Sequence, residues 1–294
     1  MKLYAPKYYK KFKCAAGECG HSCCIGWEID VDTDTLEKYK CLENHYAESI
    51  LNSISTDDIP HFMLCEGEKC PHLDERGLCK IIINAGEEYL CNICREHPRF
   101  YNYTDIAEVG VGMSCREAAS LILSSSDYNV FESVGEIDAE EAFYEFDSRG
   151  ERTRVYQTLG DKSVTYNVRL DKIRREYYIA ERSDTEWCEI IESLEYLENT
   201  HKELFLCYSS SHRPDGKDEY LERALAYFIY RHCTEAYDTE DFRLRLSFCL
   251  FCERLLASLI VSQKALTLKE TAILASIISE EIEYSEDNTE SLML

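Results

Sequence analysis

The sequence predicts a mainly α-helical protein whose front is a cysteine-rich, loop-dominated metal-binding module, and three observations carry that expectation. Eleven of the 16 cysteines fall between Cys14 and Cys115, while Cys188, Cys207, Cys233, Cys249 and Cys252 are scattered through the remainder. Glycine and proline punctuate the same front segment, at Gly17, Gly20, Gly26, Pro60, Gly67, Pro71, Gly77, Gly86 and Pro98, which leaves little room for long regular elements. Beyond Cys115, apolar residues recur at helical spacing. For 294 residues, at roughly 100–200 residues per domain, the expected division is a metal-binding module over 1–125 and a helical domain over 126–294.

Taken in order, the front offers one helix, Asp30–Leu51, with Thr33 or Asp34 as its cap and Leu36, Tyr39, Leu42, Tyr46 and Ile50 on its apolar stripe. Ser114 is a candidate cap for a helix running through Glu117 into Leu121–Leu123. Residues 124–135 read as loop and Ile137–Phe146 as a short helix or strand. Helices are then expected over Asp171–Ala180, Thr185–Tyr208, Lys217–Tyr237, Asp241–Gln263 and Leu266–Tyr284. In the second of these Trp187, Ile190, Ile191, Leu194, Leu197 and Leu204 supply the stripe. Ser209–Gly216 is the clearest interhelical loop, and there is no internal repeat.

Charge narrows the partners. Lys+Arg is 32 and Asp+Glu 56, so the formal charge is 32 − 56 = −24, with a pI near 4.7. Such a surface repels phosphate backbones and anionic lipid heads, so neither nucleic acid nor membrane is expected as a partner. No stretch approaches the ~20 apolar residues of a membrane helix. Met1–Cys14 carries five lysines and no apolar run resembling a secretory signal. A cytoplasmic, reducing location is therefore expected, where dense thiols read as metal ligands and not as a disulfide framework.

The spacings are Cys14-x4-Cys19-x3-Cys23-Cys24, then Cys65-x4-Cys70-x8-Cys79-x11-Cys91-x2-Cys94, then Cys115. Thiolate is a soft ligand, and four thiolates suit zinc or an iron–sulfur cluster. Neither segment matches a ferredoxin run or a zinc-finger pair. A C-x3-C-x2-C triplet fails because Gly26 stands where its third cysteine would be. Cluster and zinc both stay open at this point. The five rear cysteines, and Cys41, read as core filler.

Several ordered motifs carry a resemblance: Phe12-Lys-Cys14, Cys19, Ser22-Cys23-Cys24-Ile-Gly-Trp27-Glu-Ile-Asp30, Cys70-Pro-His-Leu-Asp74, Gly77-Leu-Cys79-Lys-Ile81, Cys94-Arg-Glu-His-Pro98-Arg99 and Ser114-Cys115-Arg-Glu-Ala-Ala119. Over roughly its first 125 residues the chain resembles the flagellin lysine N-methylase family, which shares its front with broader zinc- or iron-chelating domain proteins. A weaker echo lies in Tyr227-Phe-Ile-Tyr-Arg231-His232. The resemblance implies methyl transfer from S-adenosylmethionine to lysine side chains of flagellin, with a cysteine-bound iron–sulfur cluster of the 4Fe-4S type. Carried over position by position, the implied metal ligands are Cys14, Cys19, Cys23, Cys24, Cys70, Cys79, Cys94 and Cys115. Cys41, Cys65 and Cys91 depart from the pattern.

Other features are less specific. Arg95 and Arg99 are candidates for the cofactor carboxylate, because a guanidinium pairs with it in a bidentate fork; a plain ion pair is the simpler account. Gly110-Val-Gly112 is a weak cofactor-approach turn. His21, His61 and His72 lie among the cysteines as further ligands or as ordinary loop residues. The acidic runs Glu136–Glu145 and Ser279–Glu290 read as solvated faces and a frayed tail. No catalytic residue is assigned. The rival reading is a non-catalytic zinc- or iron–sulfur-binding redox or interaction protein.

Overall fold

The chain begins as a strand, β1 (Lys2–Pro6), and the partners of that strand lie far downstream. The computed structural model describes residues 1–19, 21–139 and 145–293. Two compact units divide them: Lys13–Pro98, and a larger one made of Met1–Phe12 with Arg99–Leu294. Composition changes near residue 125, whereas the units part after residues 12 and 98.

The small unit holds α1 (Thr33–Lys40), α2 (Ala47–Leu51), the two-residue strands β2 (Ile54–Ser55) and β3 (His61–Phe62), α3 (Lys80–Asn84) and α4 (Asn92–Glu96). The single helix expected over Asp30–Leu51 is broken. Asp32, one residue before the expected caps, accepts from the Thr35 backbone at 3.0 Å and starts α1. The Asn44 side chain then accepts from the Tyr46 and Ala47 backbones at 2.8 and 3.0 Å. An Asx cap of this kind restarts the chain as a second helix. Cys41 is exposed at the end of α1, so it is not core filler.

In the larger unit β1 lies inside a four-stranded mixed sheet with β4 (Arg99–Tyr103), β5 (Ala107–Val111) and β6 (Phe131–Glu136), ordered β4-β5-β1-β6. β1 runs parallel to β5, with Leu3 opposite Ala107, and antiparallel to β6, with Pro6 opposite Phe131. β6 occupies part of the segment expected as loop. All of β5 is buried. At Gly110 a Cβ would stand 2.3 Å from the Phe100 ring, so this glycine answers to close packing inside a strand and not to a cofactor turn.

Helices cover the rest: α5 (Arg116–Ser124), α6 (Ser148–Leu159), α7 (Tyr166–Glu176), α8 (Asp184–Ser193), α9 (Asn199–Phe205), α10 (Asp218–His232), α11 (Thr239–Ser262), α12 (Leu268–Ile278) and α13 (Glu286–Leu292). α5 begins one residue later than expected, with Cys115 at its cap and Ser114 buried behind it. Half of Ile137–Phe146, residues 140–144, lies outside the described residues. α11 is apolar around most of its circumference and forms the centre of the unit, with α10, α12 and α9 packed on it. Among the described residues, no helix is long and apolar enough to cross a membrane.

Two expectations fail for one reason. Thr185–Tyr208 is two helices, and the run Ser279–Glu290 is not a frayed face but a π-helical turn (Ser279–Glu283) followed by α13. The buried Glu281 carboxylate accepts from the Leu197 and Glu198 backbones at 2.8 and 3.3 Å and pairs with His201 at 2.5 Å. It thereby satisfies the N–H groups that a continuous helix across 194–198 would have used.

Candidate metal centre

Backbone pairing brings the cysteines of the small unit together. The Cys70 amide donates to the Cys24 carbonyl at 2.8 Å, and the Gly26 amide to the Glu68 carbonyl at 3.0 Å, which joins the first cysteine segment to the second. Cys70 and Cys79 are the two ends of a tight hairpin. Asp74 closes it by accepting from the Arg76 and Leu78 amides, both at 2.8 Å, and Gly77 turns it at φ +75°. Only glycine takes that backbone conformation without cost. Cys91 directly precedes α4 and Cys94 lies in its turn. Asp32 also accepts from the Asn92 amide at 2.8 Å, so one carboxylate anchors the starts of α1 and α4 together.

The thiols gathered this way are Cys23, Cys24, Cys70, Cys79, Cys91 and Cys94, each of which alters the ionisation of others in the set. A hydrogen bond from Cys23 draws the Cys24 thiol down, and Cys23 itself is raised as the donor. Cys94 and Cys91 repeat the arrangement: Cys94 donates and is raised, and Cys91 is lowered, with the Tyr39 hydroxyl 3.5 Å from its sulfur. Burial pushes Cys70 up to about 11 and raises Cys79. Neighbouring thiolates oppose one another's charge, so this set cannot ionise together unless a cation balances it.

That chemistry fits a soft, multiply charged metal group. The geometry is not closed around one ion, however: among the described residues no three His, Cys, Asp or Glu side chains form a metal-holding group. A single zinc ion requires four donors at about 2.0–2.3 Å from one point.

Five of the eight implied ligands, Cys23, Cys24, Cys70, Cys79 and Cys94, stand in this group of thiols, and Cys91 joins them. Its two-residue spacing from Cys94 was the available signal for it. Cys14 is exposed, its sulfur accepting from the Ala16 amide at 3.3 Å, and Cys19 ends the turn that follows. Cys115 belongs to the other unit.

His72 is structural. Its two ring nitrogens meet the Tyr46 hydroxyl at 2.7 Å and the Ser53 hydroxyl at 2.8 Å, and burial lowers its pKa to about 4. His61 Nδ1 meets the Ile59 carbonyl at 2.8 Å. Arg95, in the small unit, bonds to Asn92 and lies 3.7 Å from Glu96. Arg99, in the larger unit, donates to the Tyr9 hydroxyl at 3.1 Å and lies over the Phe12 ring.

In the larger unit a buried network was hidden by the acidic run. The Glu283 side chain is fully buried and accepts from His232 at 2.6 Å, from Tyr227 at 2.9 Å and from Ser279, with Arg231 at 3.5 Å. Burial alone would raise this carboxyl; Arg231 and His232 outweigh it and leave it lowered. Cys233, Cys249 and Cys252 are buried as expected for filler, but Cys207 is exposed and Cys188 half-buried.

No protein-family model matches the chain, and no solved structure does. Curated proteins do. A lysine-N-methylase of Salmonella typhimurium is 28% identical over 137 residues, 42% of this chain and 32% of its own length. The flagellar biosynthetic protein FliU of Salmonella muenchen is 26% identical over 136 residues, 42% of this chain and 77% of its own length. A lysine-N-methylase of Salmonella choleraesuis is 28% identical over 137 residues with the same shares as the first. The matched segment thus spans about a third of the lysine-N-methylases, and over 42% of its length the chain is a relative of proteins named lysine-N-methylase and FliU.

Proposed function

We propose that this protein is a lysine N-methyltransferase that uses S-adenosylmethionine to methylate lysine side chains of flagellin, and that its small unit carries an iron–sulfur cluster of the 4Fe-4S type. The observation that carries the reading is the similarity to relatives named lysine-N-methylase, with flagellin suggested by the flagellar name of FliU.

The reaction is a direct displacement. The lysine nitrogen forms a bond to the sulfonium methyl while the S–C bond breaks, and the electron pair leaves with the thioether. A lysine pKa near ~10.4 means that the amine must first lose its proton to a base or to water. Desolvation and in-line alignment then supply most of the acceleration. A 4Fe-4S cluster takes four thiolates, which four of Cys23, Cys24, Cys70, Cys79, Cys91 and Cys94 would supply, and its positive charge would balance them. Displacement needs no electron from it, so its role in this reading is structural or regulatory. Arg95 or Arg99 would bind the carboxylate of the donor.

The test is the intact mass of flagellin co-expressed with this protein at low oxygen. Methyl-sized increments that map to lysines and vanish when the protein is omitted are the expected outcome. Unmodified flagellin beside iron-loaded protein would overturn methyl transfer. Activity that strictly depends on a reductant would overturn the structural role of the cluster.

A further inference from the structure

The larger unit contains a second assembly that the cysteines and the methyl-transfer reading leave unused. A cavity of about 140 Å³ is lined by Arg174, Arg182 and Arg254 together with Trp187, Phe251 and Ser247. Three guanidiniums around one small cavity are unexpected in a chain of net charge −24, where carboxylates outnumber cations.

These arginines are also under-bonded. Each guanidinium carries several N–H donors in a fixed fork. Among the described residues the three make a single hydrogen bond, from Arg254 to the Ser210 carbonyl at 2.6 Å. The Arg254 Nε is buried without a partner. Arg174, only 13% exposed, has carboxylates no nearer than 3.6 Å (Asp171) and 3.9 Å (Glu181). Arg182 makes no ion pair among the described residues and lies over the Trp187 ring, 5.4 Å from its centroid.

Of the nearby acids, Glu181 lines the cavity but is exposed to solvent, 3.9 Å from Arg174, and two others are committed elsewhere. Glu253 pairs with Arg213 at 2.5 Å, and Asp184 accepts from the Ser209 hydroxyl and the Ser210 amide. Burial, with Arg213 and Arg174 close by, lowers the Arg254 pKa, the expected effect of crowded like charge. The Arg254 Nε, a buried cationic donor without an acceptor, costs stability unless a ligand supplies one.

We infer that this cavity is a binding site for a compact oxyanion, held in the fork of Arg174, Arg182 and Arg254. Two sources share that chemistry: a free phosphate-type anion, and the carboxylate of a small molecule such as the methyl donor. The inference is independent of methyl transfer, because it rests on charge and donor count alone.

Trp187 provides a local reporter. It is stacked on Phe251 with centroids 4.2 Å apart, and the chain has two tryptophans, so Trp27→Phe leaves it as the sole indole. Inorganic phosphate added to the full-length Trp27→Phe protein should change Trp187 fluorescence saturably, with half-saturation on the order of 1 mM or tighter. Arg182→Gln and Arg254→Lys should each weaken that binding by on the order of tenfold. Arg254→Lys keeps the charge and removes the fork, and circular dichroism verifies the fold of both.

Displacement of phosphate by S-adenosylhomocysteine identifies a carboxylate ligand. Saturation by phosphate without such displacement identifies a free anion. A signal that sodium chloride reproduces at matched ionic strength, or one that both folded variants retain undiminished, overturns the inference.

Discussion

The two units are held together by different means. The larger one closes on apolar side chains: α11 alone buries Phe242, Leu246, Phe248, Leu250, Phe251, Leu255, Leu256 and Leu259, and its charges are buried in pairs such as Arg152–Glu108 at 2.7 Å. Among the described residues the core cluster of the small one has eight buried members, and two of those are Cys70 and Cys91. Its helices are one to two turns long, and its chain is shaped by Asx caps, a hairpin and left-handed glycines. Burial at about 25 cal/mol per Å² leaves so thin a core little margin over chain entropy, and the proposed metal group would add to it, because binding free energy becomes folding free energy. The difference teaches that a cysteine in this chain must be judged by its unit: thiol in a thin core is a ligand candidate, and thiol inside α11 is packing.

The sharpest test of that comparison is metal removal. In protein shown to contain iron and sulfide, chelation should abolish hydrogen-exchange protection in α1 and α4 while α10 and α11 stay protected. Equal loss in both units would break the contrast, and Cys91→Ser should reproduce the selective loss.

A smaller effect is expected from Glu283→Ala, which strands Arg231 in the interior and should cost roughly 3–5 kcal/mol in urea unfolding followed by circular dichroism. A change near zero would mean that the larger unit does not depend on its buried ion pairs.

The smallest effect is a pH dependence. The hydrogen bond to Glu281 raises His201 above its usual value. A histidine raised on folding contributes stability that is fully present below its unfolded pKa of about 6.5 and is lost as pH rises through the folded value. The unfolding midpoint should therefore fall across that window in the parent, and His201→Gln should flatten the slope.

How much of this was legible depends on range. Periodicity placed the starts of α10, α11 and α12 closely, though it ran past the ends of α10 and α12, because a helix that faces a core repeats its apolar side chains locally. The cysteine spacings marked where thiols concentrate, and Cys91-x2-Cys94 already marked Cys91, which the carried-over pattern omitted. The sheet was not legible. β1 pairs with β5 and β6 across more than a hundred residues, and each strand is too short to show a period of its own.

The acidic tail misled for a related reason. Glu281 and Glu283 look solvent-bound in one dimension, and only His201, Arg231 and His232, distant in sequence, make their burial affordable.

What the sequence by itself determined is therefore local: helical stripes, turn glycines, net charge, and a density of soft ligands in the front of the chain. Tertiary structure alone decided which thiols meet, which carboxylates are buried and where three arginines converge. Those outcomes depend on pairings between distant residues, and a linear pattern carries no record of a partner that chain folding, not chain order, brings within bonding distance.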